Sequence, residues 1–468
     1  MEIRRAALIS AIGRYSKIIL SIIVTALLAR ILSANDYGIV AIITVFSTFF
    51  ATLSDMGFGA AVIQNRTLSK RDIDNIFSFT VYVAIILAIL FCLFSVLIAN
   101  FYGNGVYIPL GQVLSVSLLF NALNMVPNGI LNRDKKFILI AIRTVVVYII
   151  SGTIAVILAM YGWRYYAIAF QAVLTAFLTF IWNYLTVNIK FYFVFNFKSV
   201  KKVINYSGYQ FAFNIVNYFS RNLDNLLTGK FLGSRELGYY NKSYELMLYP
   251  VNNLTGVVSP VLHPILSDFQ NEYKIIYDKY MKVVKLLSLL AIYIAPFCML
   301  SASEIINILY GSNWNSSIVC FQLLSIAIFP QMINSSAGSV FQALGKTKLL
   351  FINSCINTLV TVISILVGVI FGKSIVVLSF CVSISYVIHL LTAFTMLIVW
   401  GFHYDFAPFF KEIFPELVML VIMFFVTALY NLNIDNILIS LIIKFIYLLV
   451  VYTILLIVTK EYKIFLKK

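Results

Sequence analysis

Apolar residues run along this chain in stretches of roughly 17–25, each cut off by a short polar link, and about 14 such stretches are present. They fall near residues 8–32, 38–61, 75–99, 107–131, 137–160, 165–187, 203–228, 238–262, 281–309, 317–343, 349–371, 374–400, 416–431 and 437–459. At 1.5 Å rise per residue each is long enough, or nearly so, to cross a hydrocarbon core about 30 Å thick as a helix. The pattern therefore predicts an all-α polytopic membrane protein. No link exceeds roughly 20 residues, which leaves no room for a soluble catalytic domain on either side.

Two of the links share a pattern. Arg30-Ile31-Leu32-Ser33-Ala34-Asn35-Asp36-Tyr37-Gly38 is echoed by Lys230-Phe231-Leu232-Gly233-Ser234-Arg235-Glu236-Leu237-Gly238. In each, an apolar run ends in a base, crosses a polar link holding an acid, and restarts at a glycine. A repeat of this kind predicts two pseudo-symmetric six-helix lobes, 1–190 and 203–400, then an accessory helix pair at 416–459 and a tail at 460–468. That is a transporter's plan, with a substrate site expected between its halves.

Composition agrees with the pattern. Of 468 residues, 62% are hydrophobic and only 11% charged, far fewer than a soluble surface needs. The formal net charge is +16. Alternate links hold roughly 22 bases against 4 in the opposite set, so both termini are expected in the cytoplasm, facing anionic lipid. Arg133, Lys135, Lys136, Lys346 and Lys348 belong to the basic set, whereas Arg164, Lys230, Arg235 and Lys373 form the other. Nucleic acid is not an expected partner. Cys92, Cys298, Cys320, Cys355 and Cys381 all lie in apolar runs without CxxC spacing, and read as small buried residues. His263, His389 and His403 are scattered, so no metal site is expected. No nucleotide-binding or hydrolase motif occurs.

The candidate chemistry lies on the first helix of each half. Arg14, Lys17, Ser21 and Thr25 share one face of helix one, and Asn214, Asn217, Arg221 and Asn225 share the equivalent face after the repeat, with Asp224 and Thr228 beside them. An ionised group facing lipid at bilayer depth costs about 2.5–3.5 kcal/mol or more, so these stripes are expected to line a hydrated cavity. Snorkelling to the interface, or an Arg221–Asp224 ion pair, would be the structural readings. Arg143 is a further cavity base. With Arg14, Lys17, Arg143 and Arg221 against few deep acids, chiefly Asp55 and Asp224, the cavity should be positive and suited to a phosphate. Lys285 and Lys444 read as structural. Asp55, in Ser54-Asp55-Met56-Gly57-Phe58-Gly59, reads as a cap. The ends near Arg133 and Lys346 read as flexible, and 263–285 as an amphipathic surface helix. Pro250, Pro260, Pro264, Pro296 and Pro330 are expected to kink helices.

Leu28 to Gly38 with Ser54 to Gly59, Asp224 to Gly233 with Leu237 to Tyr240, and Gln342 to Lys346 together resemble the Wzx-type exporters of O-antigen, capsule and exopolysaccharide. These belong to the multidrug/oligosaccharidyl-lipid/polysaccharide superfamily. The resemblance implies a flippase for undecaprenyl-pyrophosphate-linked oligosaccharide repeat units in the bacterial cytoplasmic membrane, working by alternating access around a cationic cavity. Its partners would be the lipid-linked oligosaccharide, membrane lipids, and a polysaccharide polymerase and chain-length regulator. It implies a monomer and no enzyme activity. No cofactor is expected, and a coupling ion would be H+ or Na+. A cation-coupled drug antiporter is the first alternative, disfavoured by bases where helix one would need an acid. A peptidoglycan-precursor flippase shares the cavity logic. A membrane-embedded polymerase or ligase would need a large outer loop.

Overall fold

The computed structural model describes residues 2–55, 58–201, 208–256, 262, 266–270, 272–432 and 434–466, without the side chains of 2–10, 55, 60, 208–217, 220 and 465–466. Among these residues the regular structure is helical, and no strand occurs. The chain forms two compact units, Met1–Gly238 and Tyr239–Lys468.

The first unit contains α1 (Glu2–Ile31), α2 (Ala34–Asp55), α3 (Phe58–Gln64), α4 (Lys70–Tyr102), α5 (Tyr107–Leu123), α6 (Met125–Arg133), α7 (Phe137–Met160), α8 (Tyr165–Thr186), α9 (Phe197–Lys201) and α10 (Gly208–Phe231). α11 (Ser234–Thr255) starts there and continues into the second. The second unit adds α12 (Tyr273–Leu300), α13 (Ala302–Leu309), α14 (Ser316–Ser325), α15 (Ile328–Asn334), α16 (Ala337–Ala343), α17 (Thr347–Leu366), α18 (Ile375–Thr395), α19 (Phe406–Leu429), α20 (Ile437–Thr459) and α21 (Lys463–Leu466).

Among the described residues 11 helices are long and apolar enough to cross a membrane, or 12 if α14 to α16, bent by 46°, make one broken span. A total of 14 needs α10 and α11 as well. α10 lacks described side chains over its first ten residues, and α11 carries Arg235, Glu236, Lys242 and Glu245 in 22 residues. Some boundaries differ from the apolar runs. The run at 281–309 breaks at Ser301, and its helix begins earlier, at Tyr273. From Tyr273 onward the polar 263–285 segment is thus the start of α12; His263 lies outside the described residues. α19 begins at Phe406, ten residues before the expected 416, because aromatic residues extend it across Lys411 and Glu412.

The polar links prove to be helix starts. Ser33 and Asp36 form a capping box on α2: Ser33 N–H and Oγ donate to Asp36 Oδ2 at 3.0 and 2.6 Å, and Asp36 N–H donates to Ser33 Oγ at 3.2 Å. Ser69 and Asp72 repeat the arrangement on α4. In the echo of the first link, Gly233 takes the serine's place with φ of +92°. The two links also meet. Ser234 lies against Asn35, with Ser234 Oγ 2.5 Å from Asn35 Oδ1. A Cβ on Gly38 would fall 1.6 Å from the Ser234 carbonyl oxygen, and one on Gly238 would fall 1.9 Å from that of Ala34. The repeated glycines therefore let the first turns of α2 and α11 touch backbone to backbone.

Phe58, Val62, Ile76, Phe77, Val126 and Leu131 build one core cluster in the first unit. In the second, the buried Tyr280 stacks on Phe394, which stacks on Phe409. All five cysteines are free: Cys298 and Cys320 are buried as expected, Cys92 and Cys381 half-buried, and Cys355 is exposed.

Candidate functional site

Every sequence-predicted site residue falls in the first unit. α1 packs on α7 along its length: a Cβ on Gly13 would lie 2.6 Å from Ala141 Cβ, and one on Gly152 would lie 2.6 Å from Val24. The step from Gly13 to Val24 matches that from Ala141 to Gly152, so the two helices run parallel and in register. Around this seam α1 has two different flanks. Measured from Gly13 at roughly 100° per residue, Ile12, Ile19 and Ile23 lie on one side, and Lys17, Ser21, Arg14 and Thr25 on the other. The first three are exposed hydrophobics. Arg14 and Lys17 are also exposed, and Ser21 and Thr25 half-buried. One helix thus presents an apolar side suited to lipid and a cationic side that is not.

The register sets Arg143 level with Tyr15, between Arg14 and Lys17. Its direction differs. Arg143 lies roughly 200° around α7 from Ala141, on the side away from α1. There it is buried, and its Nη1 donates to Asn183 Oδ1 at 2.6 Å and Asn128 Oδ1 at 3.3 Å. Nη2 donates to Thr144 Oγ1 at 3.4 Å. Asn183 in turn donates to Asn124 Oδ1 at 2.7 Å. Neutral amides from α6 and α8 hold the guanidinium; among the described residues no carboxylate pairs with it, and its Nε has no partner. A buried cation solvated only by dipoles keeps its positive potential, which a carboxylate would cancel.

α10 packs on α2. A Cβ on Gly229 would meet Ile42 at 2.6 Å, and Tyr218 Oη donates to the Val45 carbonyl. Arg221, Asp224, Asn225 and Thr228 lie on one flank of that seam, as the polar stripe of α1 does of its own. Arg221 is exposed, Asp224 buried and Asn225 half-buried. No ion pair joins Arg221 to Asp224. The side chains of Asn214, Asn217 and Asp55 lie outside the described residues.

Three features had no reading in the sequence. The asparagine cluster at 124, 128 and 183 is one; a lone Asn183 inside an apolar run was its available signal. The second is Glu304, which accepts from Lys444 Nζ at 2.6 Å and Ser440 Oγ at 2.7 Å, while Lys444 also donates to the Leu300 carbonyl. The third is Glu416, buried with Lys285 Nζ at 3.8 Å. Both lysines thus have acid neighbours within the second unit.

A multi-pass helical membrane protein with basic residues inside its candidate spans is the class that this fold and site define. The chain belongs to the polysaccharide biosynthesis protein family, whose model matches residues 27–319. It is similar to the teichuronic acid biosynthesis protein TuaB of Bacillus subtilis (strain 168), 23% identical over 71% of this chain and 69% of that one. It is likewise similar to the lipopolysaccharide biosynthesis protein WzxC of Escherichia coli (strain K12), 23% identical over 77% of this chain and 73% of the other. Among solved structures, lipid II flippase MurJ in an inward closed conformation aligns with a TM-score of 0.73 at 18% identity, covering 97% of this chain and 99% of that one. At that identity the likeness is one of fold. The resemblance to Wzx-type exporters expected from the sequence is borne out.

Proposed function

We propose that the protein is a flippase, not an enzyme, that carries undecaprenyl-pyrophosphate-linked oligosaccharide repeat units across the bacterial cytoplasmic membrane for surface polysaccharide synthesis. In this reading the chain makes 14 spans in two lobes and a terminal pair, with both termini cytoplasmic, and alternates access from the inner to the outer leaflet. The diphosphate docks on Arg14, Lys17 and Arg221. Ser21, Thr25, Asn214, Asn217, Asp224 and Asn225 line the path of the glycan, whose hydroxyls exchange water for these side chains. Arg143, held by its amide cluster, adds positive potential from within the first unit. The polymerase and chain-length regulator receive the product.

The observation that carries this reading is the two-sided α1. Its apolar flank suits acyl chains, while Lys17, exposed on the other flank beside Arg14, calls for a partner, water or an anion at depth. The family and the names of its relatives point to lipid-linked glycan as that anion's carrier.

The test is complementation of a flippase-deficient strain, scored by surface polymer and by membrane abundance of each variant. Arg14→Ala, Lys17→Ala and Arg221→Ala should each cut polymer at least about tenfold, the order expected for losing one charge-assisted contact. Arg221→Lys should retain more than Arg221→Ala. Full polymer from the triple alanine variant would refute the reading. Drug resistance without polymer export would favour an antiporter.

A further inference from the structure

We propose that the first unit holds an ordered anionic phospholipid in a groove between α7 and α8, its phosphate on Lys135 and Lys136. This goes beyond the flippase reading and does not rest on it. The groove has two parts joined at Trp182. The first, about 500 Å³, is walled by Ile138, Leu139 and Ile142 and has Lys135 and Lys136 at its mouth. The second, about 410 Å³, runs on past Val146, Ile150, Leu178 and Leu185. Ile138, Ile142, Ile150 and Leu185 are exposed, so the walls are open to lipid rather than covered by protein.

Two facts say what fills it. The first is charge. The mouth carries Lys135 and Lys136 with Arg133 beside them, against the single acid Asp134, and the far part is apolar. Trp182 lines both parts, about half-way between the basic mouth and the far apolar end. From Phe137 to Ile150 the groove spans about 20 Å at 1.5 Å per residue, a little more than one leaflet's hydrocarbon of about 15 Å. It suits one acyl chain of a phospholipid whose head lies at the basic end.

The second is backbone. α6 ends in a turn in which Lys135 N–H donates to the Asn132 carbonyl at 3.1 Å and Lys136 N–H to that of Leu131 at 2.9 Å, with Lys135 at φ of +56°. α16 ends in the same turn. There Gly345 N–H donates to the Gln342 carbonyl and Lys346 N–H to that of Phe341, with Gly345 at φ of +68°. The left-handed position is a glycine's place, and a side chain there is strained. The second unit uses glycine; the first accepts strain to put an ammonium at the mouth of the groove.

The experiment reconstitutes the full chain in nanodiscs of phosphatidylcholine with a minority of phosphatidylglycerol. Retained lipid is counted by native mass spectrometry, and a photoreactive acyl chain maps where it lies. Phosphatidylglycerol should be retained in preference and crosslink to α7 and α8. Lys135→Gly with Lys136→Ala should weaken its retention roughly thirtyfold, about fivefold per lysine. Lys136→Arg should keep it, and Ile142→Trp should lose it by filling the groove. Because Lys135→Gly relieves the left-handed strain, that variant should melt no lower than the parent in detergent, which separates lost lipid from lost fold. Equal retention of both lipids overturns the proposal. So does unchanged retention in the double lysine variant, or crosslinks that fall elsewhere.

Discussion

Gly38 and Gly238 stand where the packing of the first unit leaves no room for a methyl group. In Gly38→Ala the new Cβ would lie 1.6 Å from the Ser234 carbonyl oxygen and 2.5 Å from its carbon. A carbon–oxygen contact needs about 3.3 Å, so the first turn of α11 must withdraw by about 1.7 Å. The obstacle is backbone, which no rotamer change removes. Overpacking of this kind costs about 1–3 kcal/mol, set against a gain of about 0.5–1 kcal/mol for alanine over glycine within a helix. A net loss of about 1–2 kcal/mol is expected, enough to multiply the unfolded fraction by about five to thirty.

The same geometry predicts how the two positions combine. The Cβ of Gly238→Ala meets the Ala34 carbonyl oxygen at 1.9 Å, from the other side of the same contact. Once one alanine has pushed the turns apart, the second enters space already opened. The double variant should therefore cost much less than the two singles together, with a coupling of about 1–2 kcal/mol. Gly338→Ala is the control, since it lies in α16 with nothing within 4 Å of the added carbon. It should be neutral or slightly stabilising. Thermal melts in detergent and steady-state membrane levels measure all four. Wild-type stability in Gly38→Ala, or strict additivity in the double variant, would refute the packing argument.

Four further outcomes follow from single contacts. Asp36→Ala removes the α2 capping box and should cost about 1–2 kcal/mol in the same melts. Arg164→Ala should cost under about 1 kcal/mol, because that arginine is 60% exposed although its Nε lies 3.1 Å from Asp36; equal losses would contradict the cap as the main effect. Lys444→Met alone leaves Glu304 buried without its cation and should cost about 3–5 kcal/mol, whereas adding Glu304→Leu should recover most of the loss. Asn183→Leu takes away the shortest contact of Arg143 and should cost about 1.5–3 kcal/mol, with polymer export falling alongside it.

What was legible in the sequence follows from what is local. Helix positions were legible because apolar length and polar interruption are properties of consecutive residues, and the stripe on α1 because a 3.6-residue period is too. Even the repeated link was readable as a pattern, with Asp36 as its acid. Its meaning was not: the capping box is local, but the backbone contact between Gly38 and Ser234 joins positions nearly 200 residues apart, where pattern carries no distance. The same limit hid the partners of the charges. Arg143 is visible as a base, but nothing local marks Asn128 and Asn183 as its partners. Glu304 sat in a run read as apolar, and the helix break at Ser301 that presents it to Lys444 leaves no compositional mark. In a membrane span a charge has to find a partner, water or a ligand. Lys444 and Lys285 have found acids, and Arg143 has found amides that solvate it without neutralising it. Among the described residues Lys17 and Arg221 stay exposed and form no ion pair. Under the proposed function that division separates bases that hold the fold from bases that dock an anion, and the complementation experiment tests it directly.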